Sequence, residues 1–183
     1  MKKWFFVFLG TLLLSSCADL QREQYLKQVL GLQKKVQLLE SKLPDSRLKD
    51  ISTIKVNTIQ TELRIKQNLQ LDTIDMALAK KLDAYKLMRK SIKPMMQQYM
   101  QVRNGIKEEK GILKQLSQDI QNGRGERKQY AAYIRFERQK VKQLSQLSAD
   151  YLRAKEKFFS EYARLYPSVE AFSQTLLKKK QRN

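Results

Sequence analysis

Histidine is absent from the 183 residues, cysteine and tryptophan occur once each, and glycine and proline supply only six and three residues. Each scarcity removes a class of protein. Without imidazole there can be no Ser-His-Asp triad, no Cys-His pair and no His-ligated zinc. So few turn-forming residues cannot build the many reversals of a sandwich, a barrel or a Gly-rich nucleotide fold. Acidic groups are also short, 18 against 37 Lys and Arg, which leaves a net charge of +19. Long apolar runs are missing too. The eleven-residue stretch from Trp4 to Leu14 falls well below the roughly 20 residues that cross a bilayer. What remains is 42% apolar, enough for one core or one long helical seam and low for a polytopic membrane protein.

Met1-Lys2-Lys3, then Trp4–Leu14, then Ser15-Ser16-Cys17 is a basic start, an apolar centre and a small-residue end, the pattern of a secretory signal peptide. Its last four residues, Leu14-Ser15-Ser16-Cys17, resemble the lipobox of bacterial lipoproteins. The resemblance implies removal of residues 1–16 and a thioether from Cys17 to diacylglycerol, with a further acyl chain such as palmitate on its amine. No other cofactor is expected. An ordinary signal peptide with a stray thiol, or an uncleaved anchor helix, are the alternatives. The lone cysteine at the end of a small-residue run disfavours the first, and the shortness of the run disfavours the second. Loss of Lys2 and Lys3 lowers the net charge from +19 to +17. In enterobacterial lipoproteins an Asp directly after the Cys retains the protein in the inner membrane. Ala18 at that position favours the outer membrane if the host is Gram-negative.

Residues 17–183 read as one elongated all-α domain, an antiparallel helical bundle or coiled-coil hairpin. Tyr25, Val29, Leu32, Val36, Leu39 and Leu43 step by four and three, an a/d seam that predicts a helix over 19–43 ending before Pro44. The short break there favours an antiparallel second helix over 46–92. Within it, 48–71 carries both alternating apolar residues and β-branched Thr53, Thr58 and Thr61, a strand-like signal. Val56, Ile59 and Leu63 still fit one helical face and Ile54, Ile65 and Leu69 another, so helix is preferred. Pro94 is expected to kink or restart the chain as a helix over 95–121, weakened at Asn104-Gly105. Asn122-Gly123-Arg124-Gly125 is the clearest reversal. Beyond it, 126–166 forms a helix of about 61 Å, and Pro167 separates a short one over 168–180.

No constellation of catalytic groups appears, and an enzyme is not expected. Asp72 and Asp75 share a helical face that reads as solvated, and the adjacent Glu108 and Glu109 diverge around a helix. Gly123-Arg124-Gly125-Glu126-Arg127-Lys128 lacks the spacing of a phosphate loop. Positive charge accumulates towards the end, where residues 122–183 hold fifteen basic and six acidic groups. The candidate contacts for an anionic polymer are Arg124, Arg127, Lys128, Arg135, Arg138 and Lys140, with Lys178, Lys179, Lys180 and Arg182 in the tail. Tyr133 and Phe136, off the main stripe, are the rings expected at the surface. Export makes nucleic acid an unlikely ligand and leaves lipopolysaccharide phosphates, anionic lipids, teichoic acids or acidic glycans.

A lipobox followed by heptads resembles the Braun-type lipoproteins that tether outer membrane to peptidoglycan. In that family the C-terminal Lys carries the link, whereas Lys180 here is followed by Gln181-Arg182-Asn183, so no crosslink is carried over. A basic exported hairpin is also similar in outline to Skp-like chaperones, which open with strands where 18–43 here reads as helix. The expected role is structural or interactive: a membrane-anchored, exported lipoprotein presenting a basic helical surface to an envelope protein or polyanion, as a single chain or as an oligomer. The alternatives are a periplasmic holdase chaperone or an assembly subunit of a secretion or efflux machine, and then a surface adhesin.

Overall fold

The computed structural model describes residues 2–43, 48–69 and 75–182, with side chains described from Leu20 onward except those of Leu48 and Arg182. It is an all-α helical bundle. The helices are α1 (Lys2–Ser41), α2 (Leu48–Asn68), α3 (Met76–Asn122) and α4 (Tyr130–Arg182), with a 3₁₀ turn at Arg127–Gln129. No strand occurs among the described residues.

Apolar spacing explains each helix. In α3 the buried positions are Tyr85, Met88, Ile92, Met95, Tyr99, Val102, Ile106, Glu109, Leu113, Leu116 and Ile120, stepping three and four without a break. In α4, Tyr130, Ile134, Glu137, Val141, Leu144, Ser148 and Tyr151 do the same, and Phe158, Leu165 and Val169 continue the seam. Such steps keep one stripe of each helix facing its neighbours.

Two expected breaks are absent. Pro94 lies inside α3 and Pro167 inside α4. Both prolines are exposed, while Ile92 and Met95 flank the first and Leu165 and Val169 the second in buried positions. Burial of the seam outweighs the loss of one backbone hydrogen bond on the solvent side. Pro94→Ala should restore that bond without removing packing, and a stabilisation of about 1–3 kcal/mol is expected in urea denaturation followed by circular dichroism. An unchanged or lower midpoint would contradict a continuous helix there. Gly105 is not a weak point either. A Cβ at this position would stand 2.9 Å from Leu144 Cδ1, so the glycine is a notch that lets α4 approach.

The expected helix over 46–92 is two helices. The chain leaves α2 after Asn68 and enters α3 at Met76, with residues 70–74, including Asp72, outside the described residues. Asp75 starts α3, its carboxylate accepting the Leu78 N–H at 3.4 Å as an N-cap does. In α2 the helix reading of the ambiguous stretch holds, but its inner face differs from the expected one. Ile51, Ile54, Thr58, Thr61 and Ile65 are buried, and Val56 and Leu63 are about half exposed. Thr58 returns its hydroxyl proton to the Lys55 carbonyl, and the Thr61 hydroxyl lies within reach of both the Asn57 carbonyl and Glu170, so each polar side chain sits in the seam with its donor satisfied.

The chain divides into two compact units, Met1–Leu43 with Val102–Gln146, and Pro44–Gln101 with Leu147–Asn183. In the first, α1 runs antiparallel to α3. Gln33 Nε2 donates to the Leu113 carbonyl at 3.1 Å, and Glu40 pairs further back with Lys110 at 2.7 Å. In the second, α2 runs antiparallel to α3, with Ile51 beside Met100 and Glu62 paired with Arg89. α1 and α2, expected to pair across the short Pro44 break, belong to different units. Each supplies the third helix of a different unit, because α3 and α4 carry an uncovered seam into both.

Candidate functional site

The reversal between α3 and α4 is built as the sequence suggests. Gly123 and Gly125 take φ values of 64° and 80°, which a side chain resists. The Arg124 N–H reaches the Asp119 carbonyl at 2.8 Å and the Gly123 N–H that of Ile120 at 3.3 Å, the paired bonds of a Schellman cap. Tyr130, buried at the start of α4, directs its hydroxyl at the carbonyls of Asp119 and Arg124, and its ring meets Tyr25 of α1 edge-on at 6.2 Å. Gln21, Arg22 and Tyr25 of α1 close a cleft of about 240 Å³ against Asn122, Gly123, Arg127 and Tyr130. The α1 segment around Gln21–Tyr25 thus stands beside the hairpin turn.

The expected basic contacts separate into three groups. Arg124, Arg127, Lys128, Arg135 and Arg138 are exposed in the first unit. Arg138 reaches across to Gln28 Oε1 of α1 at 2.7 Å. Lys178, Lys179 and Lys180 are exposed in the last turns of α4, in the second unit, and the Arg182 side chain lies outside the described residues. Lys140 departs from the expectation. Its ammonium is turned between α3 and α4, 2.6 Å from Glu109, 3.6 Å from Glu108 and 3.7 Å from Glu137. Tyr133 and Phe136 are exposed as expected. Leu14, Ser15, Ser16 and Cys17 fall in the N-terminal part of α1, and their side chains lie outside the described residues.

In the sequence Glu108 and Glu109 diverge around one helix, and nothing local pairs either with Glu137. They do diverge: Glu108 faces solvent while Glu109 is 3% exposed. Its partner comes from the other helix, Glu137, 8% exposed. Both occupy seam positions. The legible signal was the seven-residue gaps in the apolar stripes, Ile106 to Leu113 and Ile134 to Val141, each with a glutamate where the seam residue belongs. With both groups ionised, one oxygen of each lacks a donor. Burial first, then contact with Glu109, pushes the Glu137 carboxyl above its usual range, against the counter-effect of Lys140. The hydrogen bond to Glu109 chiefly raises Lys140, against its own desolvation.

The second unit holds a different polar cluster. Glu170 of α4 accepts from both Thr61 and Arg64 of α2 and, at 2.7 Å, from Gln174 of its own helix. The Arg64 Nε also donates to Ser173 at 3.3 Å. Burial alone would raise Glu170, but the bonds from Thr61 and Gln174 and the Arg64 charge outweigh it and hold the carboxyl below its usual range. Nearby, Tyr85 is buried and its phenol is pushed up, first by desolvation. Tyr162 and Tyr166 stack with centroids 4.8 Å apart.

No cluster of three or more metal-ligating side chains occurs among the described residues, and no helix among them is long and apolar enough to cross a membrane. Comparison with protein-family models, curated proteins and solved structures gives no match to this chain.

Proposed function

We propose that this chain is a lipid-anchored cell-envelope protein whose helical body has a structural or interaction role and offers a basic surface to an anionic partner. The observation that carries the reading is the Leu14-Ser15-Ser16-Cys17 motif at the end of a short apolar run, with Cys17 the single cysteine of the chain. Two or three acyl chains at about 0.8 kcal/mol per buried methylene hold a body of this size on a bilayer. The helical bundle supports a mechanical role, and the exposed arginines and lysines of α4 support contact with polyanions.

Intact-mass analysis of the protein purified from bacterial membranes should find a chain beginning at Cys17 and carrying diacylglycerol. Cys17→Ala should abolish that mass and prevent recovery of the mature form in the membrane pellet after a high-salt wash. An unmodified thiol on Cys17 would overturn the reading.

A holdase or assembly subunit is the second reading, supported by one feature of the second unit. Ile51, Ile92, Met96 and Met100 line an open groove of about 660 Å³ between α2 and α3. Flexible methionines suit a surface that accepts varied apolar segments. That reading requires the protein to suppress aggregation of unfolded clients in light-scattering assays.

A further inference from the structure

In the first unit, α1 and the start of α4 each hold a long stretch of positive charge without an exposed carboxylate. Residues 24–39 of α1 contain no acidic residue, and residues 127–149, from the 3₁₀ turn into α4, contain only Glu137, which is buried; the exposed Glu23, Glu40 and Glu126 border these stretches. Along α4, Arg135, Arg138 and Lys142 follow at steps of three and four, so they share one side of the helix, Lys128 lies in the 3₁₀ turn that leads into it, and all four are exposed. The Arg138–Gln28 bond places that side next to α1. There Lys35, seven residues after Gln28, continues it. Lys27 and Lys34 lie alongside, on the outward stripe that begins with Leu20 and ends with Leu38, 60% and 54% exposed.

This face starts where the chain would enter a bilayer. Gln21 and Arg22 stand against the hairpin turn that leads into Lys128. Cys17 precedes Gln21 by four residues, a distance of at most about 14 Å even for a fully extended chain. An acylated Cys17 therefore keeps the hairpin-turn end of the α1/α4 face within reach of lipid headgroups whatever the conformation of the intervening residues. Tethering raises the effective concentration of the face at the bilayer, so weak charge contacts suffice. Each basic side chain near an anionic surface favours contact by about fivefold. The exposed leucines at either end of the α1 stripe add apolar groups that can enter the headgroup boundary.

We propose that the α1/α4 face of the first unit lies against the bilayer and binds its anionic phospholipid headgroups, with Lys35, Lys128, Arg135, Arg138 and Lys142 as the principal contacts. This rests on the lipid-anchor reading and adds an orientation to it: the hairpin turn is held near the membrane rather than projected towards a distant partner. Lys140 takes no part, since it is turned to the buried carboxylates on the α3 side.

The test uses the full lipidated protein reconstituted into vesicles of phosphatidylcholine alone or mixed with phosphatidylglycerol. With Cys17 blocked by lipid, Gln139→Cys on the exposed side of α4 provides a unique thiol for a fluorophore, and Gln118→Cys on the outward side of α3 provides the control. Headgroup-attached quenchers should quench the label at 139 in phosphatidylglycerol vesicles at low salt. Quenching should fall several-fold in high salt, in phosphatidylcholine vesicles, and in the combined variant Lys128→Gln, Arg135→Gln, Arg138→Gln, Lys142→Gln, whose helicity is checked by circular dichroism. The label at 118 should stay unquenched throughout. Vesicles that float with the protein but leave position 139 unquenched would overturn the proposal, as would undiminished quenching in the combined variant. A label at 139 that responds to an acidic polysaccharide and not to the vesicles would assign the face to a polymer and also overturn it. Failure of the protein to float with phosphatidylcholine vesicles after a salt wash would instead remove the lipid anchor itself.

Discussion

Lys140→Met is expected to destabilise the first unit by about 2–3 kcal/mol, measured as a lower urea midpoint at neutral pH, because it leaves two buried carboxylates without their cation. Methionine keeps most of the apolar stem, so lost packing does not explain the effect. The cost is below that of a fully buried pair because the Lys140 side chain is 28% exposed. Glu137→Gln should act the other way. An amide fills the same seam position, donates to Glu109 and has no charge to bury, so a gain of about 1 kcal/mol is expected. The pH dependence separates the two effects. The Glu137 carboxyl is raised in the folded protein. The folded state therefore holds that proton to higher pH than the unfolded chain. Its contribution is complete below the ordinary carboxylate range and is lost as the pH rises through the raised folded value. Denaturation series should show this loss in the parent protein, a larger one in Lys140→Met and none of it in Glu137→Gln. A Lys140→Met protein as stable as the parent at neutral pH would refute the account.

Glu170→Ala should cost the second unit about 2–3 kcal/mol, because Arg64 and Gln174 lose their acceptor and a partly buried guanidinium loses its counter-charge. Glu170→Gln should recover part of the loss through its remaining carbonyl oxygen. Here the sign of the pH effect reverses. The Glu170 carboxyl is lowered in the folded protein, so its contribution is present above the ordinary carboxylate range and is lost as the pH falls through the lowered folded value. The two clusters therefore respond oppositely to acid. Mild acid favours the Glu109–Glu137 contact, and stronger acid releases Arg64 from Glu170. Denaturation of Glu170→Ala across the acidic range should lack this second fall. If Glu170→Ala unfolds at the parent's midpoint at neutral pH, the network contributes no stability.

The apolar stripes of α1, α3 and α4 were legible because leucine, isoleucine and tyrosine at three- and four-residue steps have no other use in a helix this long. The α2 stripe was misread. Its seam runs through Thr58 and Thr61, and a β-branched polar residue signals strand or surface until a backbone carbonyl is available for its hydroxyl. In α3 the seam takes Met95, which is buried, and not its half-buried neighbour Met96. Adjacent methionines cannot be distinguished until the phase of the helix on both sides of Pro94 is known. Glu109 and Glu137 are the most instructive omission. A glutamate in a seam looks like an interruption in one helix, and only the approach of the second helix makes two interruptions one paired site.

By itself the sequence determined the helical class, the single glycine-built reversal, the basic balance and the lipobox-like motif at Cys17. Each depends on local spacing or on the chemistry of one residue type. The tertiary structure alone decided that Pro94 and Pro167 stay inside helices, that α1 and α2 serve different units, and that Lys140 is held by carboxylates while Arg135 and Arg138 remain at the surface. These outcomes depend on which side of each helix is covered by another, and coverage arises from contacts between residues tens of positions apart that no local pattern encodes.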